Sequence, residues 1–177
     1  MASGPTTLTA AKKYLLTEGA LLSKVPDRLA TQDLLLEAVH HVPSLISQLV
    51  PTQIDDVIAI EACVIAVSID GLTLRMVHPR WRVEEVYHAA VAQTHQAMHW
   101  VPDSAKTPSL CLLAASHGCL WAVPADKRTE AVCIKAMSRC SSNSNYVDWS
   151  PKMAQSFREA GLGGFIPKGG DWIMQDV

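Results

Sequence analysis

Apolar residues in this chain come in short bursts at helical spacing, and valine-proline phrases separate the bursts: Val25-Pro26, Val50-Pro51, Val77-His78-Pro79, Val101-Pro102 and Val123-Pro124. A second landmark follows each valine after five or six residues, at Thr31, Asp55, Val83, Thr107 and Thr129, in steps of 24, 28, 24 and 22 residues. A third falls seven residues further on, always alanine: Ala38, Ala62, Ala90, Ala114 and Ala136. Three landmarks in fixed order, five times over, define a repeat.

Each phrase that follows a second landmark (TQDLLLEAV, DDVIAIEAC, VEEVYHAAV, TPSLCLLAA, TEAVCIKAM) reads as a short helix. Thr31, Asp55, Thr107 and Thr129 are residue types that accept a hydrogen bond from an unpaired amide at a helix start, and Pro108 occupies a first-turn position where no N–H is missed. Apolar positions four and eight lie one turn apart and predict a buried stripe, with the alanine small enough for a neighbouring helix to approach closely. The rest of each unit (PSLISQL, DGLTLRM, HQAMHW, HGCLWA) has room for about two helical turns before the next proline phrase, so a second short helix is expected there. Gly71 and Gly118 fall at the break between the two helices, where a left-handed residue is often needed.

One helical hairpin cannot cover its own apolar face, so a period of about 24 residues implies stacked units. The expected fold is all-α: an α-solenoid of about five short helical hairpins over residues 25–147. An N-terminal capping helix is expected within residues 1–24, and a C-terminal capping helix with a glycine-rich tail over 148–177. Leu8, Tyr14, Leu15, Leu21 and Leu22 are the packing residues of the first cap. Ser150, Pro151 and Gly161 supply the N-cap, first-turn proline and C′ glycine of the last helix.

The stretches His95-Gln96-Ala97-Met98-His99-Trp100-Val101-Pro102 through Thr107 to Ala115, and His117-Gly118-Cys119-Leu120-Trp121-Ala122-Val123-Pro124 through Thr129 to Met137, carry a resemblance. They are similar to a short tandem repeat of a family of unknown function found in bacterial and protist proteins, secreted effectors among them, with a pattern close to VP-x(5)-T-x-x-[LV]-x-[LI]-x-A. The resemblance spans residues 25–147, is clearest over 77–137 and is looser in the first two units. It implies an interaction scaffold and carries no catalytic residue with it.

Composition narrows the class. In 177 residues, 49% are apolar and 18% charged, with a formal net charge of −2. The chain is too apolar for disorder and lacks the general cationic field that phosphate contacts require, so nucleic acid is a disfavoured partner. A weaker alternative keeps a basic stripe of Arg80, Arg82, Lys106, Lys127 and Arg128. The longest apolar run, Val57 to Ile69, contains Glu61 and is shorter than the roughly twenty residues of a membrane span, so no span is expected. Five cysteines without a CxxC pair argue for reduced thiols. Met1 to Ala11 contain no apolar run of the Sec type. The expected location is the cytoplasm, or delivery by a specialised secretion system that needs no Sec signal.

Candidate chemistry is sparse. His88, His95 and His99 have the i, i+7, i+11 spacing that would align three imidazoles on one unbroken helix, a metal-dependent hydrolase being the alternative reading. Against it, the repeat places a helix break near Thr94. Cys111 and Cys133 share one repeat position and read as buried, protonated thiols. No phosphate loop, dinucleotide fingerprint, nucleophile elbow or HExxH pattern occurs, and no cofactor is expected. Among the five tryptophans, Trp100 and Trp121 read as core and Trp81, between Arg80 and Arg82, as the exposed one. The expected interaction residues are Arg80, Trp81, Arg82, His95, His99 and Trp172. The expected function is a non-catalytic protein-binding scaffold, such as a bacterial effector or a cytosolic immunity-type neutraliser of a toxin.

Overall fold

The computed structural model describes residues 4–17 and 20–167, so Trp172 and the rest of the tail's end lie outside the described residues. Among those described, every regular element is helical and none is a strand. Seven α-helices alternate with 3₁₀ turns: α1 (Leu8–Leu15), α2 (Gln32–His41), α3 (Asp56–Ile69), α4 (Glu84–Gln93), α5 (Pro108–Ser116), α6 (Glu130–Met137) and α7 (Pro151–Glu159).

The N-caps fall where the polar landmarks predict them. Thr31, Thr107 and Thr129 each accept from the amide three residues on, at 3.3, 3.4 and 3.4 Å, and Asp55 accepts from Val57 N at 2.8 Å. Val83 has no side-chain acceptor to offer, and α4 starts without a side-chain cap. The same register extends beyond the five expected units. Thr7 caps α1 by accepting from Ala10 N, and Ser150 caps α7 by accepting from Met153 N. The two terminal helices therefore begin as the inner ones do. They also bury the same face: Ala11 and Leu15 in α1, and Met153, Ala154 and Phe157 in α7, match Leu110, Cys111, Ala114 and Ala115 in α5. The landmark alanines Ala38, Ala62, Ala90, Ala114 and Ala136 are all buried.

The second helix of each unit is 3₁₀ rather than α, at Pro43–Gln48, Gly71–Met76, His95–Trp100, Leu120–Ala122 and Ser141–Tyr146. Six residues or fewer between a helix break and a valine-proline phrase do not suffice for a stable α-helix, whereas the tighter 3₁₀ form closes its bonds within three residues. The valine that follows is a core residue: Val25, Val77, Val101, Val123 and Val147 are all buried, and Val50 is the exposed exception. A further turn not foreseen in the sequence precedes the N-caps. Ala30, Lys106 and Arg128 have φ between −80° and −75° and ψ between 65° and 80°. The next amide in each case bonds back two residues: Thr31 N to Leu29 O, Thr107 N to Ala105 O and Thr129 N to Lys127 O. These are inverse γ-turns, which reverse the chain sharply into each helix.

The chain parts into two compact units, Met1–Trp100 and Val101–Val177. In the first, each α-helix packs on its successor from α1 to α4, and the 3₁₀ helices 43–48, 71–76 and 95–100 form a second row alongside. In the second, α5 packs on α6 and α6 on α7, with Leu120–Ala122 beside Ser141–Tyr146. In both units the most extensive contacts run between elements close in the chain.

The two break glycines have different roles. Gly118 has φ +76° and ends α5 in a Schellman motif, with Gly118 N bonded to Ala115 O and Cys119 N to Ala114 O. Gly161, at φ +74°, closes α7 in the same way. Gly71 is not left-handed, which corrects the expectation; it is there for space. A Cβ on Gly71 would sit 2.6 Å from the Ala90 carbonyl oxygen at the end of α4. Gly71→Ala is therefore expected to cost about 1–3 kcal/mol through forced separation of backbones. Urea denaturation checks this, and a loss under about 0.5 kcal/mol would show that α4 can shift freely.

Candidate interaction surface

Of the residues expected to meet a partner, Arg80 and His99 are exposed, Arg82 and His95 are partly buried and Trp81 is buried. Trp81 is fully buried, contrary to the expectation of exposure. It follows Pro79 in a single 3₁₀ turn, its ring lies 5.4 Å from that of His78, and its indole N–H donates to Asp56 Oδ1 at 2.8 Å. Arg80 donates to the other carboxylate oxygen of Asp56 through Nε at 3.0 Å and Nη2 at 2.6 Å. Arg82 donates to the carbonyls of Val77 and Arg75 at 2.9 and 3.2 Å. The polar phrase around Trp81 is thus a clamp holding one repeat junction onto the first turn of α3.

The other members of the basic stripe are used similarly. Lys127 reaches the Lys106 carbonyl at 2.9 Å, Arg128 reaches Val123 O at 2.9 Å and Tyr146 O at 3.1 Å, and Lys106 pairs with Asp103 at 2.8 Å. Cations spent on carbonyls 5 to 21 residues away are poorly placed to track a phosphate backbone.

The structure does not gather a metal site either. His88 lies on α4, 3.6 Å from Glu84 Oε1, whereas His95 and His99 lie on the next 3₁₀ helix beyond the break at Thr94. Among the described residues no group of three metal-ligating side chains comes together. The helix ends at Gln93, before the spacing can align the three rings on one face. His95 is partly buried and His99 exposed.

The thiols follow their burial. Cys63 is pushed up to about 12 and Cys133 to about 11 by removal from water, and burial also raises Cys111 and Cys119. These stay protonated and unreactive. Cys140 is exposed, and its hydrogen bond with Ser142 holds its pKa below the usual thiol range.

A surface feature emerges instead at the last residue of four of the 3₁₀ helices, just before a valine or, after Phe165, Ile166; the corresponding position holds Lys24, Gln48 and buried Ala122 in three others. Met76 and Trp100 occupy that position in the first compact unit, and Tyr146 and Phe165 in the second. All four are exposed, Trp100 at 44% and Tyr146 at 41%. The backbone leaves the 3₁₀ turn in extended form, so the valine enters the core while its predecessor faces outward. Trp100, expected in the core, is corrected to the surface; Trp121 is partly buried. In the second unit the Arg128 guanidinium lies 5.5 Å from the Tyr146 ring centroid. The signal was present in the sequence as a large apolar residue directly before the valine in Met76-Val77, Trp100-Val101 and Tyr146-Val147.

No family model, curated protein or solved structure matches this chain. No helix among the described residues is long and apolar enough to cross a membrane.

The Asp56 clamp gives a pH prediction. The hydrogen bond from Arg80, joined by that from Trp81, holds the Asp56 carboxyl below the usual carboxylate range. A depressed folded-state pKa contributes stability that is present above the ordinary carboxylate range and is lost as pH falls through the folded value. Wild type should therefore lose more melting temperature than Asp56→Asn between about pH 6 and pH 3. Parallel thermal scans check this, and equal losses would remove the clamp from the acid response.

Proposed function

We propose that this chain is a non-catalytic scaffold, an α-solenoid built from these short helical units, whose partner is another protein. A single observation carries the reading: an exposed apolar side chain stands four times at one repeat position, as Met76 and Trp100 in one compact unit and Tyr146 and Phe165 in the other, where further occurrences hold Lys24, Gln48 and Ala122. Polar surface would be the cheaper choice at these positions for a chain without a partner. Tryptophan and tyrosine are the side chains that most often anchor protein interfaces, since they bury a large rigid area at low entropic cost. An effector or an immunity-type neutraliser would each use such a surface, and the gene neighbourhood distinguishes them.

The test compares wild type with Trp100→Ser and Tyr146→Ser in affinity capture, with circular dichroism confirming that both variants fold. A protein retained by wild type and reduced about tenfold or more by either substitution supports the proposal, as expected for a hot spot. Identical capture profiles for all three would overturn the assignment of this surface.

A further inference from the structure

We infer that the outer face of α2, α3 and α4 is a docking surface for a basic amphipathic segment of another protein. The inference starts from α3, where burial runs against side-chain size. Its buried residues are Ala59, Ala62, Cys63, Ala66 and Val67, whereas Val57 is 73% exposed, Ile69 is exposed, and Ile58, Ile60, Val64 and Ile65 are only partly buried. Small residues on the inside let α2 and α4 pack closely on α3, and the branched side chains are left to the other side. Val57, Ile60 and Val64 stand at i, i+3 and i+7, so they form one ridge along about two turns of the helix, with Glu61 on the same ridge. A contiguous ridge of this kind marks a surface that a second apolar surface covers.

Charge decides the chemistry of the covering partner. α2, α3 and α4 carry Asp33, Glu37, Asp56, Glu61, Glu84 and Glu85 and no lysine or arginine, in a chain whose formal net charge is only −2. Glu37 pairs with Lys12 at 2.5 Å and Asp56 with Arg80 at 2.6 Å. Asp33, Glu61 and Glu85 are exposed and meet no lysine or arginine among the described residues. They lie on α2, α3 and α4 in turn, so carboxylates stand on the apolar ridge and on both of its flanks. Such a border favours a segment that brings apolar side chains on one face with Lys or Arg beside them, and it repels nucleic acid and anionic lipid. An amphipathic helix lying along α3 has that form, and the fourteen residues of α3 set its matching length at about 21 Å. The surface belongs to the row of α-helices and uses none of Met76, Trp100, Tyr146 and Phe165.

Fluorescence anisotropy of labelled model peptides, titrated with the full-length protein, provides the test. The probe is an amphipathic peptide of about fourteen residues built from leucine and lysine, and its control has glutamate in place of every lysine. The Leu/Lys peptide should bind, about tenfold or more weakly at high salt than at low, and the Leu/Glu peptide should not. Val57→Ser and Glu61→Lys, both at exposed positions and checked for folding by circular dichroism, should each weaken binding, Glu61→Lys by about tenfold or more. Trp100→Ser should bind the peptide as wild type does, which separates this face from the 3₁₀ row. Equal binding of the two peptides, no binding of either, or wild-type affinity in Glu61→Lys would overturn the inference. So would a wild-type dimer in sedimentation that Val57→Ser converts to a monomer, because the occupant would then be a second copy of this chain.

Discussion

Replacing Trp81 with alanine is expected to remove about 3–5 kcal/mol of folding stability, the range for deleting a fully buried large aromatic side chain. The loss has two parts. The cavity left under the junction at Pro79–Trp81 forfeits packing against α3, and Asp56 loses the indole N–H that it accepts at 2.8 Å. Trp81→Phe separates them. It keeps most of the ring volume and forfeits the hydrogen bond, so its cost should be nearer 1 kcal/mol. Urea denaturation followed by circular dichroism measures both. If alanine cost no more than phenylalanine, the packing at this position would be loose and Trp81 would be held mainly by its hydrogen bond.

The second large effect is expected at Asn143, one of two buried polar residues among those described. Its side chain spans a break in the preceding unit, donating to Gly118 O and accepting from Leu120 N. Gln93 and Gln48 do the same elsewhere. Gln93 donates to Ile69 O and accepts from Gly71 N, and Gln48 donates to Ala20 O and accepts from Leu22 N. In each case one amide takes the carbonyl of one residue and the N–H two residues later, substituting for the bonds that the backbone cannot make where one helix stops and the next begins. The receiving carbonyls, at residues 20, 69 and 118, are 49 residues apart, so alternate breaks are clamped. Asn143→Leu leaves a buried donor and a buried acceptor unpaired and should cost about 2–4 kcal/mol. Gln93 is exposed, and water can replace its amide, so Gln93→Leu should cost under about 1 kcal/mol. Equal losses for the two variants would mean that burial does not decide the value of the clamp.

These clamps mark a limit of sequence reading. An Asn or Gln that bonds a break 22 to 28 residues earlier has no local signature, because its partner groups are backbone and identical at every position. The same holds for Trp81. Flanked by Arg80 and Arg82 it reads as surface, yet both arginines turn toward a carboxylate and carbonyls of the fold while the ring between them is buried. Trp100 is the reverse: its neighbours read as core, and its place at the end of a 3₁₀ turn presents it to solvent. Burial in a repeat unit follows the phase of the backbone, and a change from α to 3₁₀ geometry alters that phase within a single turn.

What the amino-acid order determined by itself is the punctuation: N-caps at Thr31, Asp55, Thr107, Thr129 and Ser150, the first-turn prolines Pro108 and Pro151, the Schellman glycines Gly118 and Gly161, and the buried alanine stripe. All of these act through bonds or sterics within a few residues, so spacing alone exposes them. Tertiary structure decided which polar side chains turn inward to clamp a neighbour and which apolar ones remain outside. Those choices depend on contacts about one repeat away, where the chain has to be folded before the partners meet.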